Sequence, residues 1–154
     1  MSKLSAGIIA FRLNKEGDFE VLLVHPGGPF YKNKDVGIWS IPKGEYAEAE
    51  DALSAAKREF TEETGNTLPA GDFKPLQSVK IKSGKVISAW AIETDFDKPL
   101  IQSNFFDLEW PPGSGKKQSF PEIDRAEWFN LKEAKYKINN GQINLIEQLE
   151  AMLS

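Results

Sequence analysis

The chain has 154 residues, 40% of them hydrophobic, 27% charged and 11% aromatic, with a formal net charge of −4. That length suits one domain with one core. The acidic balance disfavours non-specific binding to nucleic acid or to an anionic membrane, though not a small phosphorylated ligand. Without cysteine there are no disulfides, thiolate metal sites or cysteine nucleophiles.

The apolar run from Gly7 to Phe11 is too short for a signal-peptide core or a membrane span, so a soluble, cytoplasmic protein is expected. A reducing compartment also fits a cysteine-free chain. AGIIAFRL (6–13) and FEVLLVH (19–25) are apolar, β-branched-rich runs separated by the turn-like NKEGD, which predicts two strands. HPGGPFYKNKDVG (25–37) reads as a loop, and IWSIP (38–42) as a short strand closed by Pro42. From Ala47 to Thr64 the pattern is helical, with Ala49, Ala52, Leu53, Ala56 and Phe60 on one apolar stripe and Gly65 as the stop. FKPLQSVKIK and KVISAWAIE flank Ser83-Gly84 as a hairpin would. The segment 103–124 reads as irregular, and an irregular connection of that length in a compact domain is a functional lid or disordered. AEWFN (126–130) predicts a last strand, and LKEAKYKI and QINLIEQLEAML predict closing helices. Strands on both sides of one amphipathic helix imply an α/β fold, a mixed sheet with helices on its faces. The amphipathic C-terminal segment would cap the sheet or join a dimer, so a monomer or a homodimer is expected.

The predicted helix ends in crowded acid: Glu59, Glu62 and Glu63 follow Arg58 directly. At about 100° per residue, Glu63 falls inside the apolar stripe, Glu59 on its edge and Glu62 farther round the same side. A buried carboxylate must be protonated, paired or bound to a metal. Glu59 and Glu63 are also like-charged i,i+4 neighbours, which weakens a helix. Oxygen donors without His or Cys favour Mg²⁺, Mn²⁺ or Ca²⁺ over zinc. The plain alternative is a frayed helix end with its acids in water, as acid-rich helices often have.

The full string, Gly44, Glu50, Arg58-Glu59-Phe60, Glu62-Glu63 and Gly65, resembles the Nudix box, G-x5-E-x7-R-E-U-x-E-E-x-G-U, where U is a bulky apolar residue. Eight of the nine specified positions match, and Asn66 stands where the ninth would be apolar. The resemblance implies a Nudix-type α/β/α sandwich spanning 1–154 as a single domain. It also implies Mg²⁺, with Mn²⁺ as a substitute, and hydrolysis of a nucleoside diphosphate linked to another group by water attack on phosphorus. Carried onto this chain, Glu59, Glu62 and Glu63 would be metal ligands, one of them a candidate general base. The Gly44 backbone would lie close to a metal or phosphate, and Glu50 and Arg58 would orient the ligands. Clustered divalent ions would offset phosphate charge and lower the pKa of a bound water.

Other candidates lie outside the box, the first two of them suggested by the same resemblance. Glu122, six residues before Trp128, sits where several Nudix enzymes carry an additional metal-binding or basic glutamate; the alternative is an ordinary loop acid. Lys43, in IPKGE, would pair with a substrate phosphate, and a similar Pro-Lys-Gly entry occurs in Nudix enzymes acting on dinucleoside polyphosphates. Tyr31, Lys32 and Lys34 would supply stacking and charge, or form a solvated basic loop, the plainer role for Lys34. Trp39, Trp90 and Trp110 are candidate base-stacking platforms, with at most one expected to act so, because aromatics are usually core. GSGKK (113–117) fails the P-loop pattern but suits a basic flap. His25, the lone histidine, reads as structural.

The expectation is therefore an Mg²⁺-dependent hydrolase of a phosphoanhydride in a small nucleotide substrate, leaning to dinucleoside polyphosphates such as diadenosine tetraphosphate. No stable nucleic-acid or membrane partner is expected. The alternatives are a nucleoside triphosphate pyrophosphatase and a non-catalytic, nucleotide-sensing Nudix domain.

Overall fold

A computed structural model describes residues 3–154. Its elements are strands β1 (Leu4–Leu13), β2 (Phe19–Pro26) and β3 (Lys43–Glu45), helix α1 (Ala52–Thr64), strands β4 (Lys74–Pro75), β5 (Val79–Lys80), β6 (Val86–Glu93), β7 (Phe105–Glu109), β8 (Lys117–Pro121) and β9 (Ile123–Asn130), and helices α2 (Leu131–Lys137) and α3 (Ile143–Leu153).

The main sheet runs β4-β6-β1-β2-β9, with β3 added to β1 and β5 to β6. β1 and β6 are parallel and the other pairs antiparallel, so the sheet is mixed. β1 is central and covered on both faces, which is why its sequence is apolar without alternation. Ile9 and Phe11 join the core that holds Leu145, Ile146 and Leu149 of α3. Ala6, Ile8 and Ala10 meet Ala55, Ala56 and Phe60 of α1 on the opposite side. The result is the expected α/β/α sandwich, with the acid-bearing helix on one face and the closing helices on the other. Among the described residues, no helix is long and apolar enough to cross a membrane.

Several boundaries differ from expectation. The helix begins at Ala52 rather than near Ala47, because Asp51 caps it by accepting from the Ser54 N–H at 3.0 Å. Ala49 is accordingly exposed in the preceding loop, outside the apolar stripe. Gly65 ends the helix at φ +78°, a left-handed conformation that glycine adopts without strain, and donates its N–H to the Thr61 carbonyl. Asn66, in place of the usual apolar residue, is 7% exposed and its amide donates to the carbonyls of Lys98 and Pro99, each at 3.0 Å. The polar side chain is thus buried with its donors satisfied. IWSIP forms only two isolated bridges, Val24 with Ser40 and Trp39 with Ile138.

The segment 103–124 is not irregular. Phe105–Glu109 and Lys117–Pro121 form a separate antiparallel hairpin, β7–β8. Its alternation is real but weak, with Phe106, Leu108 and Trp110 partly buried and Phe105, Asp107 and Glu109 exposed. The Pro-Pro-Gly-Ser-Gly turn that joins the strands resembles loop composition and obscures them.

Candidate active site

Pro42 ends the approach to the sheet, and β3 then pairs with β1 in the register Ser5 with Glu45 and Gly7 with Lys43. This lays Lys43 and Gly44 across the last turns of α1. The Lys43 N–H donates to Glu63 Oε1 at 3.2 Å. Gly44 lies against the Glu59 carboxyl group so closely that any Cβ there would collide with it. A side chain at this position would displace the Glu59 carboxyl, so glycine lets that carboxyl lie where it does.

Arg58 gathers the acids of the opposite rim. Its Nε and Nη2 each donate to a Glu50 oxygen at 3.2 Å, and its Nη1 reaches Glu59 Oε1 at 2.9 Å and Glu62 Oε1 at 3.4 Å. The guanidinium therefore orients Glu59 and Glu62 from the solvent side, while Glu50 fixes the guanidinium. The Glu59 side chain is 14% exposed and that of Glu62 37%. Glu63 sits deepest by its carboxyl, as its place in the helical stripe predicts.

The electrostatics follow that depth. Burial pushes the Glu63 carboxyl up to about 8, opposed by the Lys43 N–H and ammonium and reinforced by the charges of Glu59 and Glu122. Burial also raises Glu59, with the neighbouring Glu62 adding to the rise and Arg58 opposing it. Glu122 contributes to both, so the structure brings this acid from β8–β9 to the box helix. Lys43 is lowered by burial and by Lys85, against the attraction of Glu63, Glu45 and Glu59.

Glu122 is held by main-chain hydrogen bonds of its own and by a side-chain hydroxyl on the next residue. Asn104 donates its N–H to the Glu62 carbonyl at 3.1 Å and accepts from the Glu122 N–H at 2.8 Å. The Glu122 carbonyl in turn accepts from the Gly27 N–H at 2.8 Å. Ser103, 5% exposed, places its Oγ 3.1 Å from both the N–H and the carbonyl of Ile123. A strap of two residues thus joins the end of α1 to the strand start carrying Glu122. Sequence reasoning missed Ser103 and Asn104, and no side-chain pattern marks them, because Asn104 acts only through its main chain.

The aromatic candidates divide. Trp39 is corrected: it is 1% exposed, packs edge-on to Phe129 and His25, and donates Nε1–H to Asp35 at 2.7 Å, so it offers no face to a base. Trp90 is half-buried against the apolar cluster beneath α1 and serves packing there. Tyr31 is 42% exposed, with the Lys34 ammonium 5.7 Å from its ring centre, and Lys32 is exposed beside it. His25 is wholly buried, with Nδ1 2.6 Å from Asp124 Oδ1 and Nε2 2.7 Å from the Lys34 carbonyl. The carbonyl can only accept, so Nε2 carries a hydrogen. The histidine is structural and ties the 27–37 loop to β9.

Among the described residues, no three His, Cys, Asp or Glu side chains are close enough to form a finished metal cage. Arg58 draws Glu59 and Glu62 outward, and Glu63 turns to the Lys43 N–H. The donor set is nevertheless all oxygen, partly buried and mutually repelling, which suits a hard divalent cation.

The NUDIX domain family model matches residues 1–149. The chain belongs to the Nudix family. A search of curated protein sequences returned no match. Among solved structures, the NUDIX domain of Shewanella oneidensis NrtR complexed with ADP ribose superposes with a TM-score of 0.71 at 19% identity, covering 100% of this chain and 90% of that one. A C. elegans Ap4A hydrolase binary complex gives 0.66 at 20% identity, covering 98% and 97%. A MutT/nudix family protein from Listeria innocua gives 0.63 at 18% identity, covering 98% and 93%. At these identities the likeness is one of fold.

Proposed function

We propose that this Nudix protein is a divalent-cation-dependent hydrolase of a phosphoanhydride bond in a nucleoside diphosphate-linked substrate, with dinucleoside polyphosphates as the favoured class. The observation that carries this reading is the crowding of three acids at one helix end: Arg58 gathers Glu59 and Glu62, Gly44 leaves room for the Glu59 carboxyl, and the Lys43 N–H holds Glu63. A carboxylate cluster in which burial and like charge both oppose ionisation is stabilised by a cation, and a structural acidic helix has no use for it.

Glu59, Glu62 and Glu63 would hold Mg²⁺ or Mn²⁺, with Glu122 at the rim. The cation, when bound, would neutralise phosphate charge and lower the pKa of a water. Arg58 keeps Glu59 and Glu62 oriented during binding. Glu122, which is exposed, would accept the water's proton as its oxygen bonds to phosphorus and the anhydride P–O bond breaks. Lys43 faces the same patch from β3 and would bind a phosphate oxygen. The preference for a long polyphosphate rests on that lysine together with the lysine-bearing 27–37 loop, and the Ap4A hydrolase likeness of fold is consistent with it.

The test is product analysis with Mg²⁺ across diadenosine polyphosphates, nucleoside triphosphates, ADP-ribose, NADH and a nucleotide sugar, with Glu63→Gln alongside. Turnover of diadenosine tetraphosphate above the others, lost in the variant and in EDTA, is the expected result. Turnover confined to triphosphates would move the substrate class. No turnover with metal binding intact would refute the hydrolase.

A further inference from the structure

Helix α1 ends with carbonyls that no further turn can satisfy. The Thr61 carbonyl accepts from the Gly65 N–H that closes the cap. Others are taken by a segment distant in the chain, residues 98–104. The Glu62 carbonyl accepts from the Asn104 N–H at 3.1 Å, and the Thr64 carbonyl from the N–H of Ile101 at 2.7 Å and of Gln102 at 3.3 Å. The segment lies hard against the cap, for a Cβ on Gly65 would come within 2.9 Å of the Gln102 N and O and of the Ile101 Cβ. It leaves the helix end at Asn104, whose carbonyl accepts from the Glu122 N–H at 2.8 Å.

Side-chain burial does not account for this path. Ile101 is 60% exposed, Gln102 and Asn104 are exposed, and of residues 101–104 only Ser103 is buried. The start of the segment is held by Asn66, at the one box position where this chain departs from the pattern. Its side-chain amide donates to the carbonyls of both Lys98 and Pro99 at 3.0 Å. Its own N–H donates to Thr64 Oγ1 at 3.1 Å, and that hydroxyl donates to the Phe60 carbonyl at 2.9 Å. The residue that follows the cap therefore ties the incoming segment to the helix end. An apolar side chain would fill the same buried position, but it has no donor, and the two carbonyls would lose their bonds.

We propose that Asn66 is a positioning residue for Glu122: by holding Lys98 and Pro99 it keeps the 98–104 segment on the helix end, and through Asn104 it sets where Glu122 stands relative to Glu59 and Glu63. The catalytic use of that placement rests on the hydrolase reading, whereas the tie itself does not.

The experiment is amide hydrogen exchange, followed by NMR on the full chain without Mg²⁺, for Asn66→Leu and Asn66→Asp. Leucine restores the apolar residue of the box, and aspartate keeps the size of Asn but offers two carbonyls no N–H. Each should speed exchange at the Asn104 and Glu122 amides by about 10-fold, which corresponds to about 1.4 kcal/mol of lost hydrogen bonding, and leave the amides of Ala56 to Phe60 unchanged. Should the leucine variant not fold, the aspartate variant carries the comparison. Unchanged exchange at Asn104 and Glu122, or an equal rise along α1, overturns the positioning role. In turnover of diadenosine tetraphosphate, Asn66→Leu should lower kcat by about 10- to 100-fold with KM nearly unchanged, and should have no further effect in a Glu122→Gln background. An equal fall of kcat in both backgrounds overturns the link to Glu122. An unmodified chain that turns over no panel substrate refutes the hydrolase, and the exchange result then decides the tie by itself.

Discussion

Replacing Glu63 by Gln should stabilise the protein when metal is removed. The Glu63 carboxyl is pushed from its ordinary 4.5 to about 8, chiefly by burial. An unfolded chain loses that proton near the ordinary value, whereas the folded chain keeps it to about 8. The native state therefore binds more protons in that window, and stability falls as pH rises through it by up to about 1.36 kcal/mol per unit. The loss amounts to about 1 kcal/mol near pH 5 and about 4 kcal/mol near pH 7.5. Gln has the shape of the protonated acid and carries none of this penalty. In EDTA, urea denaturation should find the variant more stable than the parent, with a gap that widens from about pH 5 to about pH 7.5. Mg²⁺ at about 1,000 times its Kd should close the gap near pH 7.5, since it then adds about 4.1 kcal/mol to a chain that binds it. Equal stability of variant and parent at both pH values in EDTA would refute the account of Glu63 as a buried, destabilised acid.

Gly44→Ala should displace the Glu59 carboxyl, because the new Cβ and that group claim the same space. Misplacement of this kind is expected to cost about 100-fold in kcat/KM and to weaken Mg²⁺ binding in a titration, and unchanged kinetics would show that Glu59 is not needed where it stands. Ser103→Ala should cost about 1–3 kcal/mol by leaving the Ile123 main chain unsatisfied, and should lower kcat more than it raises KM by loosening Glu122. A thermal shift with unaltered kcat would make Ser103 merely structural. Trp39→Phe removes the bond to Asp35 and should cost about 1–2 kcal/mol while leaving KM for the nucleotide unchanged; a raised KM would return Trp39 to the substrate site.

The parts of the molecule legible in the sequence are those in which neighbours in the chain are neighbours in space. β1 and β2 show as apolar runs because both are buried in the middle of the sheet. The order of depth of Glu63, Glu59 and Glu62 follows from helical geometry alone, since about 100° per residue places each carboxylate relative to Phe60 and Ala56. The start of that helix is not legible, because the alanines ahead of Asp51 have helical propensity, but the cap, not propensity, decides where the first turn closes.

What required the tertiary structure lies in contacts across long stretches of chain. The aromatic residues Trp39 and Trp110 are indistinguishable as letters, yet one is sealed between Phe129 and His25 and the other stands beside an exposed Phe30. The β7–β8 hairpin stayed hidden because its strands are short, half-exposed and joined by a turn rich in Gly and Pro. Glu122 could be suspected from its distance to Trp128, but its approach to Glu59 and Glu63 is made by the Asn104 N–H and carbonyl. Every non-proline residue carries those two groups, so no choice of side chain records the bond, and only the folded path of the chain brings them into place.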